Sequence, residues 1–140
     1  MSKVAVVYWS GTGNTEAMAN AVLDGAKAAG ADAVLYAVSD FSADLVADYD
    51  AIAFGCPAMG SESLEDSEFE PVFNDCLPKL ADKKVALFGS YDWGDGEWLR
   101  TWEETCKDAG ISLAAASVKC NNAPDADGLK DCAELGKSIA

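Results

Sequence analysis

Residues 9–15 read WSGTGNT and join the end of an apolar run to the start of an amphipathic stretch. The segment is rich in small hydrogen-bonding groups and carries no charge: Ser10, Gly11, Thr12, Gly13, Asn14 and Thr15. Glycines allow backbone N–H groups to turn toward a ligand, and a following helix adds its N-terminal donors and the positive end of its dipole. The segment therefore predicts a nest for an oxyanion, with an ordinary capped helix after a glycine turn as the alternative.

The side chains missing from this nest indicate which anion it suits. A nucleoside triphosphate site would need the pattern G-x-x-x-x-G-K-[ST], and its lysine is absent here. A dinucleotide site would need G-x-G-x-x-G, but Glu16 stands where the third glycine should be. Neutral donors suit one terminal phosphate monoester, held by hydrogen bonds rather than by an opposite charge.

Two further loops carry a large apolar side chain beside a glycine. Residues 56–70 read CPAMGSESLEDSEFE and include Met59, and residues 90–98 read SYDWGDGEW and include Trp93. Either side chain alone could belong to the core, but large apolar groups on flexible loops are a liability unless they cover something flat. Together they predict two walls of a slot for a planar aromatic ring.

The composition excludes several kinds of chemistry. The chain has no histidine, which excludes Ser-His-Asp and Cys-His catalysis and any histidine-based metal site. Its five cysteines form no C-x-x-C pair, so neither a zinc ribbon nor a disulfide framework fits. We therefore expect no histidine-dependent catalytic residue and no zinc or histidine-based metal site, and we expect reduced thiols in the cytoplasm.

The charge of the chain limits its partners. With 24 acidic and 10 basic residues the formal net charge is −14, which argues against nucleic acid and anionic membrane surfaces. The apolar segment Val4 to Trp9 is too short for a signal-peptide core or a membrane span. The charge favours solubility and basic protein partners.

Apolar runs alternate with amphipathic stretches along the whole chain. The runs predict strands at residues 3–9, 33–38, 51–56, 85–91 and 113–120. Helical spacing predicts helices at 15–29, 68–80, around 98–106 and at 129–139, with a shorter helical turn at 42–48. The last helix is expected to bury Leu129, Cys132, Ala133, Gly136 and Ile139. This alternation predicts one α/β domain over residues 1–140, a doubly wound five-stranded parallel sheet with helices on both faces.

The strand order decides whether the three loops meet. Of the two common doubly wound orders, 2-1-3-4-5 suits five strands better than 3-2-1-4-5-6. In that order a ligand binds beyond the carboxyl ends of strands one and three, where the order reverses. The nest and the loops after strands three and four should rise from this edge.

Three motifs resemble those of one protein family. SGTGNT at 10–15, AMGSE at 58–62, and GSY followed by WG at 89–94 resemble the short-chain flavodoxins of clostridial type, over all 140 residues. The resemblance implies non-covalently bound FMN and a low-potential electron carrier between redox enzymes, not an enzyme. That family is itself an example of the 2-1-3-4-5 order, with FMN at the switch point.

The resemblance also implies roles for residues in the three loops. The phosphate would lie in the nest, Met59 would cover the inner face of the isoalloxazine and Trp93 the outer face. Glu62 would accept a hydrogen bond from the pyrimidine N–H. The Gly60–Ser61 peptide would flip on one-electron reduction, so that its carbonyl accepts a hydrogen bond from the newly protonated nitrogen of the central ring. The remaining implied contacts are Ala58, Ser90, Tyr91, Asp92, Gly94 and, at the far rim, Asn122.

Charge bears on both the potential and the partners of such a carrier. An added electron would meet an unpaired phosphate in a chain of charge −14, and about 1.4 kcal/mol of penalty lowers a one-electron potential by roughly 59 mV. Acidic residues at 62–70 and 92–97 would steer basic redox partners to the exposed flavin edge of a monomer. Asp92 stands where relatives often have glycine, and we expect it in a left-handed turn, which aspartate tolerates.

Two other functions compete with electron transfer. A small FMN-dependent reductase, quinone-linked or nicotinamide-linked, would need a second substrate site, for which 140 residues leave little chain. A phosphoacceptor signalling domain would need an aspartate at the end of strand three, where the chain has Gly55, Cys56 and Pro57.

Overall fold

The continuous apolar runs form the inner strands of a parallel sheet, in a computed structural model that describes residues 2–59, 63–92 and 94–140. The strands are β1 (Lys3–Tyr8), β2 (Asp32–Ala37), β3 (Ala51–Gly55), β4 (Lys84–Tyr91) and β5 (Val118–Asn121). They lie in the order β2-β1-β3-β4-β5 and all pair in parallel, which confirms the predicted fold class and strand order. Every residue of β3 is buried, as expected for a strand that is covered on both faces.

The pairing register brings the ends of three strands to one edge of the sheet. Tyr8 at the end of β1 pairs with Gly55 at the end of β3, and Gly55 pairs with Phe88 of β4. β4 then continues to Tyr91. The chain segments that follow these three strands therefore start side by side.

Helices cover both faces of the sheet. They are α1 (Asn14–Ala28), α2 (Phe69–Cys76), α3 (Glu97–Asp108) and α4 (Ala126–Ile139), with short 3-10 helices at Val38–Asp40, Ala43–Asp48 and Leu77–Lys79. α1 and α4 bury Met18 and Leu135 on one face, whereas α2 and α3 bury Phe73 and Trp102 on the other. The helical turn predicted near residue 45 is confirmed. Among the described residues, no helix is long and apolar enough to cross a membrane.

The helices α1 and α4 approach each other closely at two glycines. A Cβ atom on Gly136 would lie 2.0 Å from the carbonyl oxygen of Val22, and one on Gly25 would lie 2.0 Å from that of Ala133. Real Cβ contacts are essentially never shorter than 3.0 Å. This backbone-to-backbone packing therefore requires glycine at both positions.

The fifth strand is shorter than predicted. Val118 pairs with Phe88, whereas upstream Leu113 forms an isolated bridge with Val85. The two bridge points are three residues apart in β4 (88 − 85) but five apart on the other chain segment (118 − 113), which holds two residues too many for a continuous ladder. The segment between them therefore leaves the sheet.

Two helices also differ from the predictions. The helix predicted at 68–80 divides into α2 and a 3-10 turn, because Pro78 has no N–H and its ring blocks a continuing α-helix. The prediction that Leu129 lies in the core is wrong, since this side chain is 37% exposed. The neighbouring Gly128 is buried beside the Cys120 sulfur and takes that place.

Candidate functional site

The segment after β1 is folded around the hydroxyl of Ser10. The Ser10 Oγ accepts hydrogen bonds from the backbone N–H of Gly13 at 3.0 Å and from that of Glu16 at 3.3 Å. Gly13 precedes α1 with φ 95°, a left-handed conformation that costs glycine little. The Thr12 Oγ1 accepts from the N–H of Asn14 at 3.5 Å. The loop thus turns tightly into the N-terminus of α1.

Backbone N–H groups in this loop remain available to a ligand. No described residue provides a hydrogen-bond acceptor for the N–H groups of Gly11, Thr12 and Thr15. They lie at the positive end of the α1 dipole, where an anion is stabilised. The donor set is neutral and fits a phosphate monoester, as the sequence predicts.

The hydroxyl of Thr15 makes a contact that the sequence did not reveal. Thr15 and Ser90 are 1% and 4% exposed, and their Oγ1 and Oγ atoms are 2.9 Å apart. The bond joins the first turn of α1 to the end of β4, across strands that are far apart in sequence. It ties the nest to the loop after β4.

A cleft of about 300 Å³ lies among the three loops. It is lined by Trp9, Gly11, Thr12, Asn14, Pro57, Ala58, Met59, Ser90, Tyr91, Asp92 and Asn122. A second cleft of about 370 Å³ adjoins it and is lined by Tyr8, Trp9, Ser10, Gly11, Gly13, Glu16, Ala37, Val38, Ser39 and Glu68. Neither lining includes a lysine or arginine among the described residues. One cleft thus combines apolar walls with the neutral donors of the nest, which suits a flat ring bearing a phosphate.

Most of the predicted site residues come together around these two clefts. Gly94 is described but lines neither cleft, and Thr15 is buried beneath them. The predictions for Gly60, Ser61, Glu62 and Trp93 fall outside the described residues.

Trp9 and Pro57 line the cleft although the sequence did not single them out. The backbone N–H of Trp9 donates to the carbonyl of Gly55 at 3.0 Å, which fixes its position at the end of β1. Its indole Nε1 donates to the Glu68 carboxylate at 3.4 Å. Their position in the sequence could have indicated that they line the cleft. Trp9 directly follows β1 and Pro57 lies two residues beyond β3, and both strands end at the edge of the sheet where the cleft lies.

Backbone hydrogen bonds hold the other two loops. The N–H of Ala58 donates to the carbonyl of Ser90 at 3.0 Å, and that of Met59 donates to the carbonyl of Ser63 at 3.0 Å. Asn122 has φ 56° and its N–H donates to the carbonyl of Tyr91 at 2.6 Å. The left-handed backbone allows Asn122 to turn back to the rim of the cleft.

The left-handed turn predicted at Asp92 is wrong. Among the described residues other than glycine, Asn122 alone has a positive φ. The carbonyl of Asp92 accepts a hydrogen bond from the Asn121 side chain at 3.2 Å, and Gly94, two residues on, has φ 88°. The left-handed backbone conformation of this loop lies at Gly94 and Gly96 instead.

The acidic residues near the cleft fall into two groups. Asp66, Glu68, Asp92 and Glu97 are exposed, and Asp95 forms an ion pair of 3.1 Å with Arg100, whose hydrogen bond lowers the pKa of this carboxyl. Glu65 differs, because it is only 5% exposed. The expectation that the acids at 62–70 steer basic partners therefore fails for Glu65, whose carboxylate does not face solvent.

The comparisons with known proteins agree with this geometry. The flavodoxin family model matches residues 6–136. A flavodoxin from Megasphaera elsdenii is 51% identical over 137 residues, which are 98% of each chain, and one from Clostridium beijerinckii is 46% identical over 96% of this chain and 97% of its own. The solution structure of the two-electron reduced Megasphaera elsdenii flavodoxin superposes with a TM-score of 0.89 over 97% of each chain.

These likenesses decide between the competing functions. They extend over nearly the whole of both relatives and of this chain, and both relatives are named flavodoxin, which is a family of electron carriers. FMN and electron transport are therefore assigned, and the reductase is not favoured. The chain belongs to the flavodoxin family and is an FMN-binding electron-transfer protein.

Proposed function

We propose that the FMN lies with its phosphate in the nest at residues 10–15 and its ring in the cleft beside Met59 and Tyr91. The observation that carries this placement is the set of unpartnered N–H groups at Gly11, Thr12 and Thr15, next to a cleft with apolar walls. Bound FMN supplies the one-electron and two-electron redox chemistry. The residues of the chain bind the phosphate, orient the ring and exclude water from its inner face.

The roles implied for four residues stand as part of this proposal. Trp93 stacks on the outer face of the ring, Glu62 accepts a hydrogen bond from the pyrimidine N–H, and the Gly60–Ser61 carbonyl accepts one from the central-ring nitrogen. Their support is the resemblance of AMGSE and GSY-WG to the family motifs. Ser90 to Gly94 and Asn122 complete the edge of the site.

The charge distribution makes this protein a low-potential carrier. No lysine or arginine lines either cleft in the described part of the chain, so no side-chain cation offsets the phosphate. The net charge is −14, and exposed carboxylates at Asp66, Glu68 and Asp92 lie on the loops that form the cleft. Each negative charge makes the addition of an electron less favourable.

The same carboxylates suit transient docking of basic redox proteins to a monomer. Small electrostatically steered interfaces allow rapid association and release, as a shuttle requires. The five cysteines are buried free thiols, which is compatible with the reducing cytoplasm where we place the protein.

A comparison of two ligands tests the placement of the phosphate. The apoprotein is titrated with FMN and with riboflavin, which lacks the phosphate, and the same is done for Thr12→Val. We expect FMN to bind much more tightly than riboflavin. Thr12→Val should raise the FMN dissociation constant about tenfold, because one hydroxyl donor to a charged group is lost, and leave riboflavin binding unchanged.

The riboflavin titration is the internal control, because a general distortion of the cleft would weaken both ligands equally. Equal affinities of the wild-type protein for FMN and riboflavin would show that the nest does not bind the phosphate.

A further inference from the structure

Glu65 is the one buried carboxylate among the described residues. Its Oε1 accepts hydrogen bonds from the backbone N–H of Glu68 at 2.8 Å and of Phe69 at 2.8 Å. Its Oε2 accepts from the N–H of Ser67 at 2.9 Å and from the Ser67 hydroxyl. The Glu65 side chain thus satisfies the first donors of α2, whose own N-cap residue, Glu68, makes no side-chain capping bond.

The backbone of Glu65 joins the same helix to the loop after β3. Its N–H donates to the sulfur of Cys56 at 3.4 Å, and its carbonyl accepts from the N–H of Glu70 at 2.9 Å. Cys56 directly follows β3, and its carbonyl accepts from the indole Nε1 of Trp98 at 3.1 Å. Glu65 therefore closes the base of the segment that carries Met59 into the cleft.

We infer that Glu65 is a positioning residue for the FMN site, because its carboxylate locks the base of the Met59 loop onto the N-terminus of α2. This inference rests on the proposed placement of FMN beside Met59. Burial alone raises the pKa of Glu65, but the hydrogen bonds from Ser67, Phe69 and Glu68 outweigh it and lower the pKa to about 2. The group is therefore an ionised acceptor at neutral pH.

A substitution that keeps the size of the Glu65 side chain distinguishes its effect on the loop geometry from the effect of its charge. A glutamine at this position keeps the size of the side chain but replaces one oxygen with an amide nitrogen, which cannot accept a hydrogen bond. Either the Glu68 and Phe69 donors or the Ser67 donors then lose their acceptor. The end of the loop must then shift, and Met59 shifts with it because its N–H donates to the carbonyl of Ser63 at 3.0 Å.

The test compares Glu65→Gln with Asp75→Asn, which removes one charge from an exposed position on α2. The dissociation constant of FMN and the two midpoint potentials are measured for each variant and for the wild type. We expect Glu65→Gln to raise the FMN dissociation constant about tenfold, which corresponds to about 1.4 kcal/mol, and to change the separation between the two potentials. Asp75→Asn should change the dissociation constant by less than roughly twofold and leave that separation intact.

Three results would overturn the inference. Both potentials of Glu65→Gln could rise by the same amount with FMN affinity unchanged, which would mean that the carboxylate acts only as a charge. Its unfolding free energy could fall while affinity and potentials stay at wild-type values, which would mean that it only caps a helix.

The third result that would overturn the inference comes from a milder substitution. If Glu65→Gln does not fold, Ser67→Ala removes one donor to the carboxylate, and we expect a roughly threefold weaker FMN affinity. An unchanged affinity of Ser67→Ala would then overturn the inference. Equal affinities of the wild-type protein for FMN and riboflavin would instead contradict the proposed placement of FMN, so the two failures are distinguishable.

Discussion

The hydroxyls of Thr15 and Ser90 illustrate how single residues organise this site. Both are buried, and the 2.9 Å bond between them joins the nest to the end of β4. A buried hydroxyl without a partner costs much more than the pair contributes when intact. The pair therefore holds the start of α1 and the end of β4, two parts of the proposed site, in a fixed relation.

Removing both hydroxyls should cost less stability than the two single removals added together. Thr15→Val keeps the shape of the side chain and leaves the Ser90 hydroxyl buried without its partner, so we expect the apoprotein to lose about 1–3 kcal/mol in urea unfolding. The double variant Thr15→Val/Ser90→Ala should lose less than the sum of the two single variants. Additive losses would mean that the two hydroxyls do not interact.

The buried carboxylate of Glu65 should make stability depend on pH. Its pKa is lowered from 4.5 in a solvated carboxyl to about 2 in the folded protein, so folding favours the ionised form. The corresponding stability is fully present above pH 4.5 and is lost as pH falls toward 2. We expect Glu65→Gln to be less stable than the wild type by about 1–3 kcal/mol at neutral pH.

That difference should shrink as the pH is lowered toward 2, where the wild-type carboxyl also becomes protonated. Urea unfolding of both apoproteins across this range measures it. A difference that stays constant from neutral pH to pH 2 would contradict the lowered pKa.

At the scale of secondary-structure elements, the contact between α1 and α4 is set by glycine. Alanine is the better helix former by about 1 kcal/mol, so propensity alone would favour Gly136→Ala. The new methyl group would collide with the carbonyl of Val22, and a backbone atom cannot move aside as a side-chain tip can. The packing of the two helices therefore outweighs the propensity of either one.

We expect Gly136→Ala to destabilise the protein by about 1–3 kcal/mol, as overpacking in a core does. Ser138→Ala, at an exposed position two residues further along α4, should change stability by no more than about 0.5 kcal/mol. Denaturant unfolding of both variants makes the comparison. A Gly136→Ala protein as stable as the wild type would show that the helices lie further apart than described.

For the whole molecule, the negative charge should govern the kinetics of electron transfer. The chain carries −14 in total, and its exposed acids near the cleft include Asp66, Glu68 and Asp92. Opposite charges on a partner raise association rates by 10–10³-fold at low ionic strength, and salt screens the effect over about 10 Å at 0.1 M.

The reduced protein should therefore transfer electrons faster to a cationic metal complex than to an anionic one of similar driving force. We expect the rate with the cationic complex to fall as salt is added and the rate with the anionic complex to rise, in stopped-flow measurements. Rates that do not depend on salt for either complex would contradict steering by the acidic surface.

The sequence alone predicted much of the fold, because the relevant patterns lie within single segments of the chain. Continuous apolar runs predict strands that are covered on both faces. The glycines and small hydrogen-bonding residues at 10–15 predict a tight backbone turn. These features predicted the parallel sheet and a turn suited to an oxyanion at residues 10–15, and the number of strands favoured the order that the structure shows. The family motifs added FMN and electron transfer.

The tertiary structure alone decided which polar groups are buried and by what. Glu65 and Asp66 are neighbouring acids in the sequence, yet only Glu65 lies against the start of α2. The partner of Thr15 lies 75 residues away, and the length of β5 depends on its register with β4. The pattern of a chain segment reports its own preferences, whereas burial, pKa and pairing depend on the segments that pack against it.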